Sequence, residues 1–569
     1  MASKSYSRLP VGNRQFTKAG VVIIGAGISG LCVAIDLIKN NIHNFVILEK
    51  SAGLGGTWRD NKYPGCCCDV FSHLYSFSFE QNPGWSRLYA DQQEILDYLR
   101  KVAEHYSLYK YIRFSSEVEE VRWDESNSKW CTKVKVIGSK DIEFGEEYSI
   151  SSDFLVSAIG QLNYPYYPSI SGIETFKGKM MHSARWDWSY DLKDKKVGVI
   201  GNGATAVQII PEIAKEVSHL TIFQRTPNWV TPRMDMSVWA PLQAIFRYCP
   251  PTLWKLRALI MDLREHIHVI FNNPDSTMAT MLRDASLKMM HKSLPNRPDL
   301  WEKLTPDYPL GCKRILLSDD YFGTLARENV SLETNHIDSI TEKGLIIDGV
   351  EQELDVIILA TGFRTVEFMH PIKVYGKNGK PLTEIWKGKP RALYGVTVED
   401  LPNFGMLYGP NTNLGHSSII LMVEAQSRYI LAMIRAILRA RERGEALSIT
   451  PKLERMEQFN SDLQKELSGT SFASPNCQSW YKTANGLITN NWSGPVVDYQ
   501  KLLAKLDWND FDLEGNGAVG MKKTRITNLG RVREESIVGI NALGFTLAGT
   551  LAVVGALAYK APHLLPRWR

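Results

Sequence analysis

Two glycine turns, each set between an apolar run and a helical pattern, constrain this 569-residue chain more than any other feature. The first, GAGISG, runs from Gly25 to Gly30. It ends the β-branched run GVVIIG, which reads as a buried parallel strand, and it opens ISGLCVAIDLIKN, whose apolar spacing is helical. Apolar residues return in NFVILEK at 44–50. Strand, tight turn, helix and strand within about 30 residues make a βαβ unit. The second turn, GNGATA at 201–206, follows KKVGVIG, opens ATAVQIIPEIAKEV and leads to the strand HLTIFQR at 219–225. Two further apolar runs, DFLVSAIG at 153–160 and DVIILATGF at 355–363, read as later strands. The pattern predicts an α/β fold with two Rossmann-type dinucleotide-binding domains.

The residues of each turn say what it holds. The first glycine permits the tight turn, the second lets backbone approach a pyrophosphate at the positive helix end, and the third allows close helix–strand packing. Gly25, Gly27 and Gly30 fill these places in the first unit, and Glu49 ends the next strand 19 residues after Gly30, where an acid meets ribose hydroxyls. The second unit has Gly201, Gly203 and Ala206, with Asn202, Ala204, Thr205 and Val207 completing the turn. Its strand ends in Gln224-Arg225-Thr226 instead of an acid. An arginine there suits a 2′-phosphate. One site accepts a plain ribose and the other a phosphorylated one, which makes FAD with NADPH the natural pair of cofactors.

Composition narrows the class further. Lys+Arg 66 against Asp+Glu 61 leaves +5 on a large chain, too slight a balance for a nucleic-acid binder. Eight cysteines are too few for a disulfide scaffold. No CxxC pair occurs, which disfavours a disulfide reductase. Cys66, Cys67 and Cys68 are adjacent, so their side chains diverge too strongly to chelate a metal. All eight read as small apolar residues of a reducing compartment. The N-terminus is polar and carries no secretory h-region. Between Trp229 and about Pro309, Trp, Met, Leu and His are frequent without strand alternation, which predicts a helical insertion. The stretch 537–559, IVGINALGFTLAGTLAVVGALAY, carries no charge and is long enough for a transmembrane helix. Basic residues before it favour a single-pass membrane protein with its catalytic body in the cytosol.

Two longer patterns carry a family resemblance. FKGKMMHSARWD places Phe176, Gly178, His182, Trp186 and Asp187 in the fingerprint FxGxxxHxxxW followed by Pro or Asp. GGTWRDNKYPGCCCD, from Gly55 to Asp69, matches GGxWxxxx(F/Y)PGxxxD. Over roughly 18–515 the chain resembles the class B flavoprotein monooxygenases, specifically the Baeyer–Villiger monooxygenases. The resemblance implies NADPH-driven reduction of FAD, reaction with O2 to a C4a-peroxyflavin, and oxidation of a small-molecule ketone to an ester or lactone. It implies an active-site arginine, Arg314 in GCKRILLSDDYF, oriented by Asp69, with Lys313, Arg225 and Thr226 on the NADP phosphate. It also places Thr57, Trp58, Arg59, Asp60, Cys67, Cys68, Asp69, Val70 and Tyr75 around the cofactor, and His182 in an interdomain linker. Asp60 stands where many members have an aromatic residue, which leaves the substrate open.

The expected division is an FAD-binding domain at 18–170 and 364–515, an NADP-binding domain at 171–232 and 310–363, and the insertion at 233–309. A linker at 516–536 and the membrane helix follow. The anchor suggests a bulky lipophilic ketone. Two alternatives stand beside the ketone reading: oxidation of a sulfur or nitrogen heteroatom by the same flavin chemistry, and a membrane-tethered flavoprotein without catalysis.

Overall fold

The computed structural model describes residues 17–138, 146–521 and 525–531. Strand β1 (Lys18–Ile24) is buried from Ala19 onward. Helix α1 (Ile28–Lys39) follows the first glycine turn and returns the chain to β2 (Phe45–Leu48), which lies parallel to β1 with Val22 opposite Val46. On its other side β1 pairs in parallel with Glu147–Ser157, Val22 opposite Leu155. That strand begins six residues before the apolar run that predicts it, because its first half, where polar and apolar residues alternate, pairs antiparallel with Lys129–Val136. The strands Ser116–Asp124, Lys373–Tyr375, Ile112–Arg113 and Phe404–Met406 complete this first sheet among the described residues.

The second unit repeats the plan. Strand β3 (Lys196–Ile200), helix α2 (Ala204–Ile213) and strand β4 (His219–Phe223) form a βαβ unit with β3 and β4 parallel. The sheet extends to Val330–Glu333 beyond β4, and past β3 to Val356–Leu359 and Lys179–His182. Between the two parts of this sheet lies the helical insertion. It contains Ala240–Tyr248, α3 (Pro250–Ile267), Thr277–Ser293 and Asp299–Leu304. The helix α4 (Ile419–Glu442) packs on α1 and joins the core of the first unit.

Two expectations are corrected. Among the described residues no helix is long and apolar enough to cross a membrane. The longest, α4, spends its apolar side on the core and carries Arg435, Arg439 and Arg441 on its outer turns. The stretch 537–559 lies outside the described residues. The transmembrane element is therefore dropped from the fold class. The membrane localisation and cytosolic orientation drawn from it are withdrawn as well. Second, the cysteines are not all unpaired apolar residues: Cys312 and Cys477, both buried, form a disulfide with Cα atoms 6.3 Å apart. Their separation of 165 residues hides the pair from any local pattern.

Candidate active site

Both glycine turns end on helices whose first N–H groups have no side-chain cap: Gly27 precedes α1 and Gly203 precedes α2. Uncapped donors at a helix N-terminus attract phosphate. Gly25 takes φ +103°, and a Cβ there would lie 2.7 Å from the Ala158 carbonyl oxygen. At Gly30 a Cβ would lie 1.9 Å from the Gly25 carbonyl oxygen, so this glycine sets the helix–strand distance. At Gly203 a Cβ would meet nothing within 4 Å, which leaves open space in front of α2. These two turns fit dinucleotide pyrophosphates.

A cleft opens at the first turn. Gly25, Gly27, Glu49, Thr57, Trp58, Asp60 and Tyr75 line it. Glu49 is fixed at the end of β2 by the N–H groups of Ala26 and Ser51, both at 2.8 Å. Burial raises its pKa, and these two bonds work against the rise. Trp58 donates to the Tyr75 hydroxyl at 3.1 Å with the rings edge to face. Asp60 accepts from Asn163 Nδ2 at 2.6 Å. Arg59 is not in the lining; its guanidinium lies over Gly53. Val70 and Cys68 are buried and do not line the cleft. Burial pushes the Cys66 thiol up to about 12 and Cys67 up to about 11, and Cys68 well above its usual value. Neutral thiols of this kind are poor nucleophiles.

The second turn carries two cations. Asn202 ties the turn to the end of β4, donating to Gln224 Oε1 and to the Thr226 carbonyl, both at 2.8 Å. Arg225 is exposed next to half-buried Lys313, whose Nζ sits 4.6 Å from the centre of the Tyr308 ring. Neither cation has an ion pair among the described residues. Burial lowers the Lys313 pKa to about 8, with Arg225 adding to the fall and Asp307 opposing it. Ala204, Thr205, Ala206 and Val207 form the first turn of α2, with Ala206 and Val207 facing the core.

An ion pair joins Asp69 and Arg314, 245 residues apart in sequence. Arg314 grips Asp69 with two bonds, Nε to Oδ2 at 2.7 Å and Nη2 to Oδ1 at 2.6 Å. A third bond runs from Nη1 to the Leu414 carbonyl at 2.9 Å. Three of the five guanidinium N–H groups are thus committed and two are left. The side chains are 19% and 29% exposed, shielded but open on one side. Burial pushes the Asp69 carboxyl up, yet the Arg314 charge and bonds outweigh this and hold it below the usual carboxylate range. Burial disfavours the Arg314 cation, but Asp69 more than compensates, so the guanidinium stays charged.

Residues that sequence reasoning missed complete the arrangement. Gln208 of α2 accepts from the Tyr63 hydroxyl at 3.0 Å and donates to the Cys67 carbonyl at 3.1 Å, fastening the Tyr63–Asp69 segment to the second unit. Gly65 permits this docking, since a Cβ there would lie 2.5 Å from the Gln208 carbonyl oxygen. Half-buried Tyr408, which lines the cleft, and buried Tyr481 lie near Arg314. Arg264 of α3 is charged towards the same pair. No local pattern marks these residues. His182 is buried at the end of Lys179–His182; its Nδ1 accepts from the Ala184 N–H at 3.1 Å, and its ring packs on Tyr167 and Phe363.

Comparison with known proteins identifies the family. The profile of a family described as Flavin-binding monooxygenase-like matches residues 18–253. The FAD-binding monooxygenase ktnD of Aspergillus niger is 52% identical over 97% of this chain and 90% of its own length. A Baeyer–Villiger monooxygenase of Streptomyces coelicolor is 38% identical over 87% of this chain and 92% of its own. The crystal structure of OTEMO in complex with FAD and NADP superposes with a TM-score of 0.76 at 27% identity, covering 87% of this chain and 99% of that one. The chain belongs to the flavin-binding monooxygenases of the Baeyer–Villiger kind.

Proposed function

We propose that this protein uses FAD, NADPH and O2 to insert one oxygen atom beside a ketone carbonyl, giving an ester or lactone. The observation that carries the reading is the bidentate Arg314–Asp69 pair in a chain with two uncapped glycine turns. The first turn, Glu49 and the cleft lined by Thr57, Trp58, Asp60 and Tyr75 hold FAD. The second turn holds NADPH, with Arg225, Thr226 and Lys313 at the 2′-phosphate. When bound and reduced, the flavin supplies the activated oxygen.

The protein's own residues do the rest. Ketone oxidation builds negative charge on oxygen, and a fixed cation in a shielded site stabilises it better than water does. Asp69 holds the Arg314 guanidinium in one plane, so its two free N–H groups face the reacting oxygens with little reorganisation. Arginine keeps its charge there, where a buried lysine would lose it. In this reading the FAD-binding domain is 18–170 with 364–515, the NADP-binding domain is 171–232 with 310–363, and 233–309 is the insertion.

The test uses the FAD-loaded full chain with NADPH, O2, a ketone panel and one aryl sulfide, with products read by mass spectrometry. An ester or lactone one oxygen heavier than its ketone is expected. In Arg314→Ala that product falls by about a factor of 100 or more, the loss typical of removing one charge-stabilising donor, while FAD remains bound. Sulfoxide as the only product, or full ketone oxidation by Arg314→Ala, overturns the reading.

A further inference from the structure

Three consecutive residues, Leu414, Gly415 and His416, tie Arg314 to the helical insertion. The Leu414 carbonyl accepts from Arg314 Nη1 at 2.9 Å. A Cβ at Gly415 would lie 2.6 Å from the Phe271 ring, so the chain runs flush against the insertion there. His416 Nε2 meets Glu265 Oε1 of α3 at 3.1 Å. The other Glu265 oxygen accepts from the Val497 N–H at 3.3 Å, at the start of the helix Val496–Leu502. His268 and Phe271 pack on the His416 imidazole, with ring centres 5.0 and 5.8 Å away. His268 Nε2 in turn bonds the Ser493 carbonyl at 3.1 Å. The His416 side chain is 2% exposed and that of Glu265 13%.

Burial lowers the His416 pKa; the Glu265 bond and charge oppose the fall, and Arg264 and Arg314 add to it. The ring is therefore neutral at neutral pH and carries one N–H. A carboxylate only accepts, so that proton sits on Nε2 and points at Glu265. Asp69 grips one edge of the Arg314 guanidinium through Nε and Nη2. That edge fixes the plane but lets the group rock within it; the Nη1 bond to Leu414 stops the rocking. We propose that His416, held by Glu265, is a positioning residue for oxygen transfer. It fixes the Leu414 carbonyl, and through it the direction of the two uncommitted Arg314 N–H groups. This rests on the reading of Arg314 as the cation that meets the reacting oxygens.

The test compares the FAD-loaded wild type with His416→Ala, His416→Gln, Glu265→Gln and the double variant His416→Ala with Glu265→Ala. In His416→Ala the ester or lactone formed per NADPH oxidised should fall about 10- to 100-fold, the range for a reacting group displaced by up to about 1 Å. NADPH oxidation, the KM for NADPH and the FAD content should stay as in the wild type. His416→Gln keeps a side-chain N–H and should regain part of the yield. The double variant should lose little more than His416→Ala, since both changes break one tie. Amide hydrogen exchange supplies a readout without turnover: His416→Ala should exchange faster over 411–418 and 312–318, and like the wild type over 20–30. A wild-type yield in His416→Ala overturns the inference. So does a proportional fall of NADPH oxidation and product with FAD retained, which would make the residue merely structural. Additive losses in the double variant would uncouple His416 from Glu265 and overturn it too. Where His416→Ala loses its FAD, Glu265→Gln, equal in shape, decides: a partial loss of yield is expected, and none overturns. If the wild type oxygenates no ketone, the oxygenase reading fails by itself. The exchange comparison still judges the tie, and unchanged exchange over 312–318 breaks it.

Discussion

If Lys313 meets the 2′-phosphate as proposed, a single residue couples cofactor choice to pH. It lies half-buried over the Tyr308 ring, and burial with Arg225 alongside lowers its pKa to about 8. The free enzyme therefore holds Lys313 charged below about pH 8 and neutral above it. A 2′-phosphate binds the charged form better, so its affinity is full at low pH and is lost as pH rises through about 8. The expected loss approaches tenfold per pH unit above that point, the slope of a single proton uptake. NADH has no such phosphate and no such loss. The ratio of NADPH to NADH dissociation constants, measured between about pH 7 and pH 9, checks this; a flat ratio would remove Lys313 from the phosphate. At this scale the sequence was readable only in part. Arg225 followed from its place at the end of a strand, where an acid is usual. Lys313, Arg314 and Asp69 came from family resemblance alone, because nothing local distinguishes Lys313-Arg314 from a surface basic pair. Gln208 and Arg264 were not readable, since their meaning lies in partners from other elements.

At the scale of elements, the two glycine turns look alike in sequence but differ in what their third dimension allows. Gly30 touches backbone: a Cβ would sit 1.9 Å from the Gly25 carbonyl oxygen, where nothing flexible can give way. Gly203 touches nothing and has φ −72°, which any residue adopts. Gly30→Ala should therefore separate α1 from β1, costing about 3 kcal/mol, at the upper end of overpacking, and lose FAD. Gly203→Ala should melt like the wild type and keep its FAD. Its methyl group fills the space before α2, so the KM for NADPH should rise about tenfold if it displaces one charge-assisted contact. Melting curves, flavin absorbance and NADPH titration separate the two cases; normal NADPH binding by Gly203→Ala would show that no ligand approaches there. The strands themselves were readable because β-branched runs bounded by glycine leave few alternatives. Their partners were not. The runs at 153–160 and 355–363 read alike, yet the first joins β1 and the second joins β3, a choice made by contacts far along the chain.

At the scale of the whole molecule, the site exists only where distant segments are held together. The Tyr63–Asp69 segment is pinned to α2 through Gln208, and Arg314 is anchored to Asp69 and Leu414. The Cys312–Cys477 disulfide adds a covalent tie one residue before Lys313 and four residues before Tyr481, which faces Arg314. It closes a loop of 165 residues. Constraining so long a loop in the unfolded chain contributes about 2–4 kcal/mol. Spread over the unfolding entropy of a chain this size, that corresponds to an apparent Tm lower by about 2–3 °C when the link is removed. Cys477→Ser should show this shift without a reductant, and the wild type should match it once reduced. The mutation lies outside the Lys313-Arg314 segment itself, so a fall in ketone oxidation beyond the shift in Tm would show that the tie also positions Arg314. Non-reducing peptide mapping gives the direct check: a linked Cys312–Cys477 peptide is expected, and free thiols at both positions, with identical melting of the variant and the untreated wild type, would remove the tie from the account.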